Sequence, residues 1–176
     1  MSKEPKVYSF CDMLRSGNAT HLGKRSFPTG IERMEYFWPS FTWYHPGAYS
    51  IPHSHPNIEA MYYFTFEGEG KHHGRLFLGW PYSEAKEIII TEPTLVEVPQ
   101  NVAHSFENDG EAMMGMLCCY AQAPDSKVTY INDLWDVIQE KYFQSGSEQA
   151  DFANMIYDTC PTMNDMFEYL KKEGKY

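Results

Sequence analysis

The sequence predicts an all-β domain, a sandwich or barrel, with an N-terminal extension and a C-terminal helical extension. Three observations lead to this prediction. Short runs rich in β-branched and aromatic residues recur between Ile31 and Ala121, separated by turn residues. After Pro124 the apolar period changes from that of a strand to that of a helix. Aromatics make up 16% of the chain, a composition that favours strands and an aromatic-lined interior. The organisation expected is an extension over residues 1–30, a β domain over 31–124 and a helical extension over 125–176.

In chain order, Ser9 is placed to cap a short helix that stops at Gly17. Ser16-Gly17-Asn18 and Pro28-Thr29-Gly30 read as turns. Ile31–Trp38 reads as a strand, with Pro39 and His45-Pro46-Gly47 as punctuation before the next segment. In Glu59–Phe66, period two puts Glu59, Met61, Tyr63 and Thr65 on one face and Ala60, Tyr62, Phe64 and Phe66 on the other. Both faces are mostly apolar, which predicts a strand covered on both sides. Glu67–Gly70 and His72-His73-Gly74 are turn segments, Arg75–Trp80 a strand and Pro81–Lys86 a loop or hairpin tip. Glu87–Thr91, Thr94–Val98 and Met113–Ala121 complete the strands.

Beyond Pro124, Ile131, Leu134, Trp135, Ile138, Tyr142 and Phe143 recur at helical spacing. Ser147 is placed to cap a second helix bearing Phe152, Met155 and Ile156. Thr162–Asp165 approximates a capping box ahead of Met166, Phe167 and Leu170, and Gly174 is a natural stop. Helices this short need a packing partner, either the barrel wall or a second subunit. Trp135, Phe143 and Phe167 on apolar faces lead us to expect a homodimer, against the alternative that they pack within the chain.

A chain of 176 residues can bury a sizeable core without disulfides. Cys11, Cys118, Cys119 and Cys160 form no C-x-x-C pair, and we expect them reduced and mostly packed. A formal net charge of −10 repels a phosphate backbone, and no basic run is longer than a pair such as Lys171-Lys172, so no nucleic-acid partner is expected. The opening residues are followed by no apolar run of signal-peptide length, and no stretch approaches a membrane span; the expectation is a cytoplasmic protein without a membrane partner.

The chemistry concentrates in two segments. In Gly47–Glu59, His53 and His55 stand two residues apart and so project from one face of a strand. Glu59 is near enough to close over that face. Leu95–Asn108 brings a third imidazole, His104. Three imidazoles and a carboxylate from separate β segments could form a cage for one divalent metal ion of the manganese-to-zinc series. His21, His45, His72 and His73 lack such company and are expected exposed or satisfied elsewhere. Met61 and Tyr63 share the parity of Glu59, and Phe106 that of His104; each either lines the pocket and contacts substrate or is plain core. Cys118, Cys119 and Tyr120 read as core, and Glu67 and Glu69 as a solvated turn.

These segments resemble the two motifs of the cupin superfamily. The first is similar to Gly47, five residues, His53-x-His55, three residues, Glu59 and a later glycine. The second is similar to Pro99-Gln-Asn101-Val-Ala-His104-Ser-Phe-Glu-Asn108. The resemblance spans about residues 40–121 and leaves both ends uncovered. Asn101 stands where the family usually has glycine, which both residues explain if that turn is left-handed. The glycine after Glu59 comes late, at Gly68. The resemblance implies a cupin-type jelly-roll β-barrel with His53, His55, Glu59 and His104 as metal ligands. It further implies a metal-dependent enzyme acting on a small organic molecule, with dioxygenase-type chemistry placed ahead of a non-redox lyase, decarboxylase or isomerase. A non-catalytic small-ligand-binding cupin is the reading from another class. No separate acid–base pair is legible, which leaves metal-bound water or Tyr63 to handle protons. The metal's identity is open among Fe, Mn, Ni, Cu, Co and Zn.

Overall fold

The computed structural model describes residues 8–29, 31, 38–56, 59–65, 73–121, 129–130, 146–172 and 174, with the backbone alone at 38, 59, 65, 129–130 and 146–152. A short helix, α1 (Phe10–Arg15), precedes a hairpin of β1 (Ala19–Leu22) and β2 (Arg25–Pro28). Next come β3 (Trp38–Tyr44), β4 (His53–Ser54), β5 (Glu59–Thr65) and β6 (Gly74–Leu78). A 3-10 turn at Tyr82–Glu84 leads to β7 (Lys86–Ile90), β8 (Thr94–Val98), β9 (His104–Glu107) and β10 (Met114–Tyr120). The last elements are β11 (Thr129–Tyr130), α2 (Gly146–Thr159) and α3 (Met163–Lys172). Among the described residues no helix is long and apolar enough to cross a membrane.

The strands form two antiparallel sheets, one in the order β1-β2-β3-β10-β5-β8 and the other β11-β4-β9-β6-β7. Neighbours in each sheet are mostly distant in sequence, which is what a jelly roll requires. The inner faces meet in a cluster that includes Met61, Tyr63, Leu76, Val98, Phe106 and Met114. Alternate residues along each strand supply it, so parity read along the chain becomes one shared interior. Gly74 lets Phe106 into this packing, since a Cβ there would lie 2.5 Å from the Phe106 ring.

Two expectations are corrected by this packing. Strand β5 is not covered on both faces: Met61 and Tyr63 are buried, whereas Tyr62 on the outer face is 39% exposed. Pro39 lies inside β3 and does not end a strand. Strand β10 pairs along all of β3, but β2 meets it only at Tyr44 and Trp43, so no β2 partner calls for the donor that Pro39 lacks. Most of the strand expected over Ile31–Trp38 lies outside the described residues.

The N-terminal stretch is more ordered than its turn signals suggest. Hairpin β1–β2 extends the first sheet, and Phe10 of α1 stacks on Phe41 at 4.1 Å. Ser9 sits at the N-cap of α1, but its hydroxyl donates to the Asp12 carboxylate at 2.7 Å and caps no backbone N–H.

The C-terminal helices cover the outer face of the second sheet. Phe167 lies 5.5 Å from Phe77 of β6 and 4.9 Å from Tyr82, while Met163, Met166 and Leu170 are fully buried. The capping box forms: the Asp165 carboxylate accepts from the Thr162 N–H at 3.0 Å, and the Thr162 hydroxyl accepts from the Asp165 N–H at 3.2 Å. Ser147 falls within the first turn of α2, which starts at Gly146. Phe167 therefore packs within the chain, whereas Trp135, Phe143 and the rest of the 131–143 stripe lie outside the described residues. Leu170→Ala should lower the unfolding free energy in urea by about 2–5 kcal/mol, the range for a buried leucine whose cavity cannot collapse; a change near zero would mean that α3 is not part of the cooperative unit.

Candidate metal centre

The site begins with two residues of β4. His53 pairs directly across from His104 of β9, a position at which side chains stand about 5 Å apart at Cβ. His55 follows β4 and is buried. Ring centroids are 4.4 Å apart for His53–His104, 4.9 Å for His53–His55 and 5.3 Å for His55–His104. One ligand nitrogen from each ring can be chosen so that all three lie within 4.8 Å of one another.

The orientation of the rings is set by backbone. His53 Nδ1 lies 2.6 Å from the Ile51 carbonyl oxygen and His104 Nδ1 3.0 Å from that of Val102. A carbonyl only accepts, so each Nδ1 carries a proton, and in the neutral ring this leaves Nε2 to present the lone pair. That is the tautomer a metal ligand needs, with the second nitrogen tethered. The turn at Asn101 serves both strands. Its φ of 60° is left-handed, as the glycine-like position in the motif led us to expect. Its N–H donates to the His55 carbonyl at 2.8 Å, and the Val102 N–H closes the turn on the Pro99 carbonyl at 3.2 Å.

Burial holds the His53 imidazole well below its ordinary pKa, and the neighbouring His104, His55 and Arg25 lower it further, against the bond to Ile51. The ring is therefore neutral at pH 7 and available as a donor. The three histidines line a cavity of about 170 Å³ between the sheets. Met61, Tyr63 and Phe106 line it too. Tyr63 is fully buried, donates its hydroxyl to Met61 Sδ at 3.2 Å and stacks on Phe106 at 4.4 Å.

The Glu59 side chain lies outside the described residues. Its backbone opens β5 in register with Tyr120, whose ring is 5.2 Å from that of His55. The remaining described histidines stand apart from the centre. His21 Nδ1 and His45 Nε2 flank the Ser26 hydroxyl at 2.9 and 3.2 Å, and His73 pairs with Asp109. His72, Glu67 and Glu69 lie outside the described residues. Cys118 is buried and Cys119 half-buried on opposite faces of β10, with no disulfide among the described cysteines. Asn108, the last residue of the second motif, is wholly buried and structural: its Nδ2 donates to the carbonyls of Tyr44 and Ala112 at 2.9 and 2.8 Å.

Sequence reasoning missed Arg25. It comes from β2, is 9% exposed and lines the same cavity. No local pattern marks it, because only the docking of the hairpin brings it there.

No protein-family model matches the sequence, and no curated protein matches it. Solved structures do match. The oxalate decarboxylase of Lactobacillus farciminis, in complex with formate, aligns with a TM-score of 0.53 and 14% identity over 77% of this chain and 40% of its own. The capsular polysaccharide assembling protein CapF of Staphylococcus aureus aligns with a TM-score of 0.50 and 16% identity over 64% of this chain and 34% of its own. The cupin domain of Schizosaccharomyces pombe Cnp3 aligns at 0.48 and 15% identity, over 62% of this chain and 71% of its own. The chain spans well under half the length of the first two, and at these identities the likeness is one of architecture.

The three nitrogens suit a divalent transition ion. His104→Ala should lower the affinity for zinc or manganese by more than roughly 100-fold in competition with a chromophoric chelator, since even loss of an outer-shell partner costs about 10–100-fold; His73→Ala should leave it unchanged.

Proposed function

We propose that this chain, whose fold is that of the cupins, is a metal-dependent enzyme acting on a small organic molecule held between its sheets. The observation that carries the proposal is the convergence of His53, His55 and His104, within 4.8 Å at their ligand atoms, on one cavity. Glu59 is the proposed fourth ligand, supported by its motif spacing and its register beside Tyr120. One divalent ion per chain would supply Lewis-acid polarisation of a bound oxygen and, if redox-active, a meeting point for substrate and dioxygen. Donors of nitrogen and oxygen without thiolate fit manganese, iron, cobalt, nickel, copper or zinc.

The chain's own residues bind and orient. The Ile51 and Val102 carbonyls hold two imidazoles in one tautomer. Met61 and Phe106 form an apolar wall that contacts the substrate and excludes water. The Tyr63 hydroxyl, held near Met61 Sδ, is the proposed proton-handling group. The aromatic, partly apolar lining supports dioxygenase-type chemistry on an electron-rich substrate. The second reading is non-redox lyase, decarboxylase or isomerase chemistry, supported by the occurrence of decarboxylation on this architecture in the Lactobacillus farciminis protein.

We also propose that the protein is a cytoplasmic homodimer. Leu95, 68% exposed, pairs in register with the exposed Tyr62 on the outer face of the first sheet, a face suited to a second copy. Sedimentation at micromolar concentration should give twice the chain mass; a monomer would refute the pairing.

Elemental analysis of protein purified without added metal, followed by oxygen uptake over a panel of enols and catechols, tests the main reading. Oxygen consumption matched to substrate loss is the expected result. Turnover that persists without oxygen would transfer support to the non-redox reading. Tight binding with no turnover under any metal would support a ligand-binding module in place of an enzyme.

A further inference from the structure

Strand β3 carries its polar side chains on the wrong face for a core strand. Phe41 and Trp43 are fully buried on the face turned away from the cavity, where Phe41 meets the rings of Phe10 and Phe64. Ser40, Thr42 and Tyr44 turn the other way and line the cavity that the histidines line. The register agrees: Thr42 stands opposite Met116, and Met116 opposite Tyr63, both of which line the same cavity. Residues directly opposite in an antiparallel pair share a face.

The inward face of a packed strand is ordinarily apolar. Here each inward residue from Ser40 to Tyr44 bears a hydroxyl. Thr42 is 1% exposed and Tyr44 2%. Among the described residues none of the three hydroxyls has a hydrogen-bond partner, and their oxygens open onto the cavity and are not sealed in the core. Neighbouring buried hydroxyls are satisfied within the chain: Ser105 donates to the Ser50 carbonyl at 2.6 Å, and Ser50 accepts from the Phe106 N–H at 2.8 Å. Buried polar groups cost stability unless bonded, so a row of them aimed into a cavity is a row kept for a ligand.

We propose that Ser40, Thr42 and Tyr44 form a hydrogen-bonding wall for the substrate, and that the substrate is a small neutral polyhydroxyl compound, a polyol or sugar of about four to five carbons. The proposal deepens the reading of the cavity as a substrate site, on which it rests, and does not depend on the ion. Hydroxyls carry no charge and both donate and accept, which suits a partner that does the same. A net charge of −10 sets the average field against a free acid. Alternate residues of a strand stand roughly 6–7 Å apart, a length that a short polyol or a furanose can bridge. Met61 and Phe106 offer an apolar wall to its C–H face. The row also runs up to the histidines: Tyr120, 5.2 Å from His55, pairs with position 38, one alternate residue before Ser40.

The test is titration of the full chain, followed by protein NMR, with D-ribose against 2-deoxy-D-ribose and erythritol against 1,4-butanediol. It is run once on protein stripped of metal with a chelator and once on protein loaded with zinc, and zinc uptake is measured separately. Each polyhydroxyl compound should bind at least about fivefold more tightly than its deoxygenated counterpart in both states. Thr42→Val keeps the side-chain shape and should lower affinity for erythritol and ribose about fivefold, with butanediol binding and zinc uptake unchanged. Its unfolding midpoint in urea should stay level or rise, because the hydroxyl it removes has no partner to lose. Tyr44→Phe, which keeps the ring 4.9 Å from that of Phe106, should weaken the same two ligands. A preference for the polyhydroxyl compounds in protein that takes up no zinc would uphold the wall and remove the metal centre alone. Equal binding within each pair, no binding of ribose or erythritol in either state, a preference that survives both substitutions, or a clear fall in the Thr42→Val midpoint would each overturn the proposal.

Discussion

The antiparallel register that sets His53 across from His104 is the constraint from which the site follows. A slip of one residue in either strand would turn an imidazole to the opposite face of the sheet. Two-residue β4 cannot hold such a register alone. Strand β9 is pinned on its other side by β6, with Leu78 opposite His104 and Leu76 opposite Phe106. Around β4, the Ser50 N–H donates to the Phe106 carbonyl at 2.7 Å and the Ser50 hydroxyl accepts from the Phe106 N–H at 2.8 Å. Gly47 and Asn108 are joined at 2.8 Å through the Asn108 carbonyl. The two motifs are thus locked together by backbone before any ion is considered.

The site and the core are built on the same strands by the same alternation. Phe106 goes into the interior two residues after His104, and Tyr63 does so two residues after Met61. The imidazoles of His53 and His104 are tolerable there because their Nδ1 groups have carbonyl partners. The left-handed Asn101 turn then serves packing and chemistry at once, tying the His55 backbone to the segment that leads into His104.

The terminal extensions are part of this architecture. The first adds a hairpin to one sheet and the second covers the outer face of the other. They meet at Tyr157, which touches Gly23 and Arg25 and bonds to Tyr49, whose own hydroxyl donates to the Cys160 carbonyl at 2.6 Å. A stretch without motifs therefore reaches the cavity that the motifs build.

What the sequence by itself determined is local. The span Thr94–Val98 and the reciprocal Thr162–Asp165 cap follow from residue type and near neighbours, and the left-handed Asn101 from the place it takes in the second motif. The parity of His53, Met61, Tyr63 and Phe106 was legible for the same reason, because alternation along a strand is a property of the chain alone. Tertiary structure decided what depends on distant partners: Pro39 inside β3, the open face at Tyr62, Phe167 turned into its own chain and Arg25 beside the histidines. Those outcomes depend on which strands become neighbours in a jelly roll, and side-chain periodicity states which face a residue takes but not what will stand opposite it.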